Sequence, residues 1–533
     1  MRPACAPLVA LLAAAGCSGG AAPRSGAVVG DGTQGLALPP SVCGTPAPPA
    51  TWPGPTVTVG SGTVESCTEA ALDAALAGGG RIGFACGPVP VVLYVSREKV
   101  ITRDTWLDGG GLVTLSGGGA TRILAIRGLF TDAGPRLRLE RLGLRDGRAS
   151  GTATPLGTGV DGGGGAVFHQ GGAVTAVDCL FLDNAAATWG PDVAGGAISG
   201  VGNPASTEVY RSVFRGNRAA NGGALGSLHT ALTVVDSLLE ANEAAGRGAN
   251  SVDAGGQQVG HGGDGGAISM DGEHRTLTVC GSALRANRAG AFGGALFRTS
   301  YHEEPTTIDR SALDANAVAD EPGSGAGAAY LQGTRVTVTA STVSRNRAAA
   351  APGLRFHDMG TARARADLAN VTIAENAVYD RPDPNTNGLG GGLWTVGIAG
   401  TLDGVTIAGN RAGFAAGILG HALLTIRNGV ISNVAANRWV DANCHDATAG
   451  AVAGGDHVLQ WAGAGAPADG DCVAGAARGD PLLGPLGDHG GPTETAVPAA
   501  GSQALAAGAS CQPVDQRGVT RPAACTLGAV EPP

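Results

Sequence analysis

Lysine is almost missing from this 533-residue chain: Lys99 is the single one, and arginine supplies the other strongly basic side chains, a bias expected of a GC-rich genome. Charged residues make up only 15% and aromatics 4%, and the formal charge is −9. Nucleic acid and anionic membrane surfaces both require clustered cations, so neither is a partner. No apolar run is long enough to span a membrane as a mature helix, and sustained helical periodicity is missing. Several chemical signatures are missing too. No phosphate-binding loop or serine-hydrolase elbow occurs in a strand-to-helix setting. His302-Glu303-Glu304 lacks the second histidine of a zinc-protease helix, and the Asp and Gly runs near Asp264 and Asp271 do not repeat as calcium-binding nonapeptides do. No catalytic residue, metal ligand set or cofactor is assigned.

What the chain does have is glycine, 92 residues of it, and one recurring phrase. A Gly-rich step ends in an apolar residue at Ile198, Leu225, Ile268, Leu296 and Trp394. An apolar-x-x-Asn ending closes at Asn184, Asn217, Asn242, Asn287, Asn316, Asn346, Asn376 and Asn410. Aligning on that Asn gives clean columns. Phe181, Phe214, Leu239, Leu284, Leu313, Val343, Ile373 and Ile407 stand three before it, and Val209, Val234, Val279, Ile308, Val338, Leu368 and Leu402 eight before it. Five before it come Cys179, then Ser212, Ser237, Ser282, Ser311 and Ser341, on the parity of the core. Thr233, Thr278, Thr307, Thr337 and Thr401 take the opposite, solvated parity.

Short β segments joined by Gly and Asn turns, repeating at 24 to 34 residues in most intervals, describe the coil of a solenoid. The expected fold is all-β, a right-handed parallel β-helix of the pectin-lyase-like kind. Coils stacked about 4.8 Å apart place equivalent residues on one another, so the Asn column should form a ladder of amides, and Asn also tolerates the left-handed backbone that ends a strand. The paired GGA[ILV] and FxxN motifs resemble the passenger regions of chlamydial polymorphic outer-membrane proteins, over about residues 161–410. That family's membrane barrel does not carry over, because the end of this chain, LGAVEPP, has no alternating aromatic-rich strands.

The chain divides into a signal peptide (1–16), a Gly/Ala/Pro-rich tether (17–55), a cap with early coils (56–160), the repeats (161–434) and a C-terminal region (435–533). Arg2, the apolar run from Leu8 to Ala15 and Gly16-Cys17 read as a bacterial export signal. Ala14-Ala15-Gly16-Cys17 resembles a lipobox, which makes Cys17 the lipidation site and membrane lipid a partner; the alternative is cleavage near Ala15 and free secretion. Export permits disulfides. Cys67 with Cys86, Cys444 with Cys472 and Cys511 with Cys525 flank short segments and are the candidate pairs, with Cys179 a core thiol and Cys43 and Cys280 left open. Ser66-Cys67-Thr68-Glu69 has the form of a capping box before a short helix over residues 70–77 that closes the solenoid's end.

Beyond Asn433 different motifs appear: Asp480-Pro481-Leu482-Leu483-Gly484-Pro485-Leu486, Gly490-Gly491-Pro492-Thr493, Asp515-Gln516-Arg517-Gly518, Cys525, and Leu527 to Glu531. They closely resemble the choice-of-anchor Q domain over residues 444–531. That resemblance implies a β-helix at the bacterial cell surface and no known reaction. No C-terminal sorting helix is present, which leaves Cys17 as the expected anchor.

Loops of variable length concentrate after each Asn, the longest over residues 243–264, and stacking should gather them on one face suited to binding. His261 and Asp264 lie in the longest loop, and Arg218, Arg288, Arg347 and Arg411 follow the Asn column. These are the binding-face candidates. The arginines suit either an acidic glycan or the capping of turn carbonyls. Gly260-His261-Gly262 resembles the GHG of polygalacturonases, but their clustered aspartates and Arg-x-Lys are missing. Arg215, Glu240, Arg285 and Asp314, two before the Asn, should form stacked ion pairs. The expected function is an exported, lipid-anchored scaffold or adhesin-like binder of an extracellular glycan or protein in a Gram-negative envelope. A polysaccharide lyase or hydrolase is the alternative, which would show acidic and basic groups converging in one groove. Changing Cys17 to Ala should move the protein out of the membrane fraction; retention there, followed by fractionation and immunoblotting, would remove Cys17 as the anchor.

Overall fold

The computed structural model describes residues 26–29, 38–149, 160–257, 259–273, 275–360, 364–381, 388–433, 442–448, 450–463 and 469–532. Cys17 and the export signal lie outside the described residues. The chain folds as a right-handed parallel β-helix with sheets of 25, 12 and 6 strands. The single antiparallel strand pairing among the described residues joins Gly26–Val29 to Val91–Tyr94.

The sequence columns are the register. Val209, Val234, Val279, Ile308, Val338, Leu368 and Leu402 pair in succession along the largest sheet. Phe181, Phe214, Leu239, Leu284, Leu313, Val343, Ile373 and Ile407 do the same. These apolar residues fill one continuous core, and Phe181 stacks on Phe214 at 4.4 Å. The serine column does more than pack inward. Each backbone N–H of the column donates to the serine Oγ of the next coil, from Cys179 through Ser212, Ser237, Ser282 and Ser311 to Ser341, at 3.0–3.1 Å.

The Asn ladder is present and fully satisfied. Asn217 Nδ2 donates to Asn242 Oδ1 at 2.9 Å and to the Phe181 carbonyl at 2.9 Å, while its backbone N–H donates to the same Asn242 Oδ1 at 3.0 Å. The pattern recurs from Asn184 to Asn410 and continues through Asn433 and Asn443, which the phrase had not marked. It ends on Asp469, whose carboxylate accepts from the Asn443 amide at 2.7 Å. One expectation is corrected: the left-handed residue is the one before each Asn. Asp183, Ala241, Ala286, Ala315, Arg345 and Glu375 all have φ between 53° and 58°. The Asn itself aims both its N–H and its side chain at the next coil.

At the step, Gly195, Gly222, Gly265 and Gly293 have φ between 51° and 74°, and a Cβ on Gly265 would stand 1.9 Å from the Ile268 carbonyl. The early coils expected over residues 82–147 are regular strands in the same sheets.

The cap helix, α1, spans Glu69–Gly78 and lays Leu72, Ala75 and Leu76 over the core. Its cap is Thr68, whose Oγ1 accepts from Ala71 N at 3.1 Å, so the expected capping box at Ser66 does not form. Glu69 is instead committed to the buried Lys99 and to Ser96, and Asp73 takes the same ammonium at 2.8 Å. The lone lysine therefore ties the cap to the first coils.

All three candidate disulfides are formed, Cys67 to Cys86, Cys444 to Cys472 and Cys511 to Cys525. A fourth joins Cys43 to Cys280. Cys179 is a free, buried thiol that burial pushes up to about 12. The segment assigned as a tether to residue 55 is already fastened at residues 41–44. There the Asp236 carboxylate accepts from Ser41 Oγ and from the N–H groups of Val42, Cys43 and Gly44.

Arg215 and Arg285 both pair with Glu240, as the alternating column implied. Asp314 departs from the expectation, pairing with Arg345 at 2.7 Å, which reaches across to Glu494 of the C-terminal region.

Replacing Asn287 by Ala would remove the acceptor of the Asn242 backbone N–H and of one Asn242 Nδ2 hydrogen, and the amide donor to the Leu239 carbonyl. A loss of about 2–4 kcal/mol is expected in urea unfolding. A change below about 0.5 kcal/mol would show the ladder to be incidental to stability.

Candidate functional site

The outward row of the 12-stranded sheet runs, coil by coil, through Ser199, Gly226, Ser269, Phe297, Tyr330, Arg355, Trp394 and Leu419. Its residues are small from Ser199 to Ser269, and rings stand at Phe168 before that stretch and at Phe297, Tyr330 and Trp394 after it. In a protein with few aromatics this is a concentration of large, rigid side chains on one face. Phe292, in the turn entering the sheet, packs edge-on to Tyr330 at 5.2 Å, and Phe297 does so at 5.9 Å. The Arg355 guanidinium lies 4.5 Å from the Tyr330 ring on one side and 4.5 Å from the Trp394 ring on the other. The Tyr330 hydroxyl and His357 Nδ1 share a 3.0 Å hydrogen bond.

Past Trp394 the row opens into a cleft of about 620 Å³ walled by Trp394, Phe414, Leu419, Leu389, Leu423 and His445. Leu389 and Leu423 are 38% and 57% exposed, and Phe414 meets His445 edge-to-face at 4.1 Å. The disulfide of Cys444 fixes the strand that carries His445. A concave, mostly apolar site with a few polar groups at its edge has the make-up of a small-ligand pocket.

Beside the small-residue stretch of the row lies an acidic cluster. Asp192, Asp264 and Asp271 line a cavity of only about 20 Å³. Asp264 is 4% exposed, and its Oδ1 lacks a hydrogen-bond partner. Burial, with the Asp271 charge behind it, pushes its carboxyl up to about 8. Burial likewise raises Asp271 and Asp192. His261 packs on Trp189 at 4.1 Å, beside the loop that carries Asp192. Carboxylates do converge here, but the space they enclose holds about one water and no sugar ring.

The loops after the Asn column meet as expected. Arg247 of the longest loop pairs with Glu321, Arg381 pairs with Asp320, and the Tyr379 hydroxyl donates to the Val318 carbonyl at 2.8 Å. The arginine candidates do not join His261 and Asp264, because they lie along the 6-stranded sheet and its edge. Arg218 is spent on Glu243 at 2.9 Å and Arg411 on Asp380 at 3.0 Å. Arg288 helps to line a 210 Å³ pocket with Arg247 and Tyr379, and Arg347 stands between Ala317 and Ala377.

The C-terminal motifs within residues 480–531 form a clip on the outer surface of the largest sheet. The Gln516 amide donates to Thr342 Oγ1 at 2.8 Å and accepts from Thr372 Oγ1 at 2.6 Å. Asp515 with Arg517 and Arg521 with Glu531 are buried ion pairs, each at 2.8 Å. These residues hold the clip down and take no part in the cleft. The Gly-rich step aligns Trp394 with Ile198 and Leu296 in the apolar column, but in the register Leu393 takes that place and Trp394 stands one residue on, in the outward row. Tyr330 and Arg355 escape the sequence columns because the row is built from residues that differ in every coil. The only available signal was the clustering of scarce rings after Gly-rich turns.

No protein-family model matches this chain, and no curated protein does. Among solved structures, the chain is similar to PfbA, a surface adhesin of Streptococcus pneumoniae, at 11% identity and a TM-score of 0.33, over 77% of this chain and 93% of that one. A superposition at that level carries no argument about function.

Asp264 offers a measurable handle. The folded chain keeps a proton there that the unfolded chain releases above about pH 4, so this group's contribution to stability declines from about pH 4 to about pH 8 and is level beyond. Asp264→Asn retains the shape without the titration. Its thermal midpoint should therefore rise relative to the parent across that window in scanning calorimetry, whereas an offset independent of pH would contradict a buried, proton-holding carboxyl.

Proposed function

We propose that this protein is an exported cell-surface β-helix, lipid-anchored through Cys17, that acts as a non-catalytic, adhesin-like binder of an extracellular glycan. The observation that carries the reading is the open cleft at Trp394, which continues a row of rings along one face of a rigid sheet. Phe297 and Tyr330 are buried and support the row, while Trp394, Phe414 and His445 line the cleft, where rings held by a rigid sheet can meet the apolar face of a sugar with little ordering on binding. Four disulfides suit an oxidising, extracytoplasmic setting. The choice-of-anchor Q resemblance of residues 444–531 supports the same compartment.

The alternative, a polysaccharide lyase or hydrolase, would draw on Asp264 and Asp271. General acid–base chemistry requires those groups within hydrogen-bond reach of a substrate proton, and their cavity of about 20 Å³ leaves no room for a sugar. A binder is therefore the better reading of this surface.

Trp394→Ala tests it. On a glycan array, the purified full chain should bind at least one oligosaccharide, and the variant should lose about tenfold or more in affinity with an unchanged unfolding midpoint. Capture of protein ligands alone, or binding that survives the substitution, would place the function elsewhere.

A further inference from the structure

Arginines on this protein's surface commonly find carboxylates. Arg127 has Glu98 and Asp161, Arg136 has Asp104, and Arg345 has Asp314 and Glu494. Arg355 is different. It is half-buried between the Tyr330 and Trp394 rings, and among the described residues its guanidinium has neither a carboxylate partner nor a hydrogen-bond acceptor. Its Nε is fully buried and unpartnered.

Two aromatic faces stabilise the cation from above and below, yet they use none of its N–H donors, which project in the plane of the guanidinium. A planar fork of unspent donors, already stripped of part of its water, is the arrangement that recognises a carboxylate or sulfate through paired charge-assisted hydrogen bonds. The neighbouring groups do not compete for that role. The Tyr330 hydroxyl is taken by His357, and burial, with the Arg355 charge itself, holds His357 below the usual imidazole range and so neutral at pH 7.

Trp394 is the shared wall: one side carries the guanidinium, and the same residue borders the 620 Å³ cleft. Cleft and guanidinium lie on opposite sides of the Trp394 ring, about two coil spacings or ~10 Å apart, a distance an oligosaccharide covers with about two residues. The net charge of −9 works against general attraction of polyanions. A preference for an anionic ligand would therefore have to arise locally.

We infer that Arg355 is an anion-recognition residue beside the Trp394 cleft, and that the ligand is an acidic oligosaccharide, one residue of which packs against Trp394 in the cleft while the carboxylate or sulfate of a neighbouring residue meets the guanidinium. This rests on the glycan reading above and narrows it to a substrate class.

The test is an array of uronate-, sialate- and sulfate-bearing oligosaccharides, each beside its carboxyl-reduced or desulfated match, probed with the full chain. At least one acidic sugar should bind about tenfold or more tightly than its neutral match, the worth of one charge-assisted hydrogen-bonded contact. Arg355→Gln should bring the two to within about twofold while leaving the neutral binding in place, and Arg355→Lys, which keeps the charge without the fork, should recover only part of the preference. Equal binding of acidic and neutral members overturns the inference and spares the glycan reading. So does a preference that persists in Arg355→Gln, with the unfolding midpoint confirming an intact fold. Binding of acidic peptides but of no sugar overturns both.

Discussion

An amide in a buried turn has two donors and an acceptor to satisfy, and in this protein the coils on either side satisfy them. Each Asn Oδ1 takes the backbone and side-chain N–H groups of the Asn before it, and each Nδ2 closes on the following Oδ1 and on a strand carbonyl. A break would strand several buried polar groups together. The ladder therefore locks the coil registry, and the serine ladder repeats the constraint at the neighbouring bend. Both bends are made by left-handed residues just ahead of the ladder side chain, such as Ala241 before Asn242 and Asp236 before Ser237. Everything on the outer faces inherits its spacing from these stacks.

A solenoid held this way has two weak points, its ends and its outer sheet surface, and polar chemistry is spent on both. At the first end the only lysine is buried under α1, between Glu69 and Asp73. At the far end the Asp469 carboxylate accepts the last amide, so the ladder finishes on a group with no N–H left to satisfy. Along the largest sheet, the C-terminal clip covers Thr342, Thr372 and Thr406 through Gln516 and the backbone of Ala529. The Cys43 to Cys280 disulfide fastens the N-terminal segment to a central coil. Asp515, Arg517, Arg521 and Glu531 are buried in the clip as ion pairs, in keeping with the cost of isolated charge.

Much of this was legible in the sequence. The core columns and the ladder from Asn184 to Asn410 follow from alternation and stacking, which are local rules. Three disulfides were legible because their partners flank short segments. The boundary of the Gly/Ala/Pro-rich segment was not, because its fastening depends on Asp236 and Cys280, far along the chain. The capping box at Ser66 failed for a related reason: Lys99, thirty residues away, claims Glu69. Asn443 was passed over because its spacing from Asn433 contracts to ten residues, far below the ordinary repeat.

The candidate site shows where local pattern stops. The chain by itself determined that strands stack in register, which side chains enter the core, and that variable loops gather at one turn, because each depends on a period of two along the strand and of one coil along the axis. Only the tertiary structure decided that Arg355 lies between Tyr330 and Trp394 without a carboxylate, that Arg218 and Arg411 are spent on Glu243 and Asp380, and that Asp264 is buried beside Asp271. Those neighbours come from different coils separated by loops of unequal length, so their distance along the chain carries no information about their distance in space.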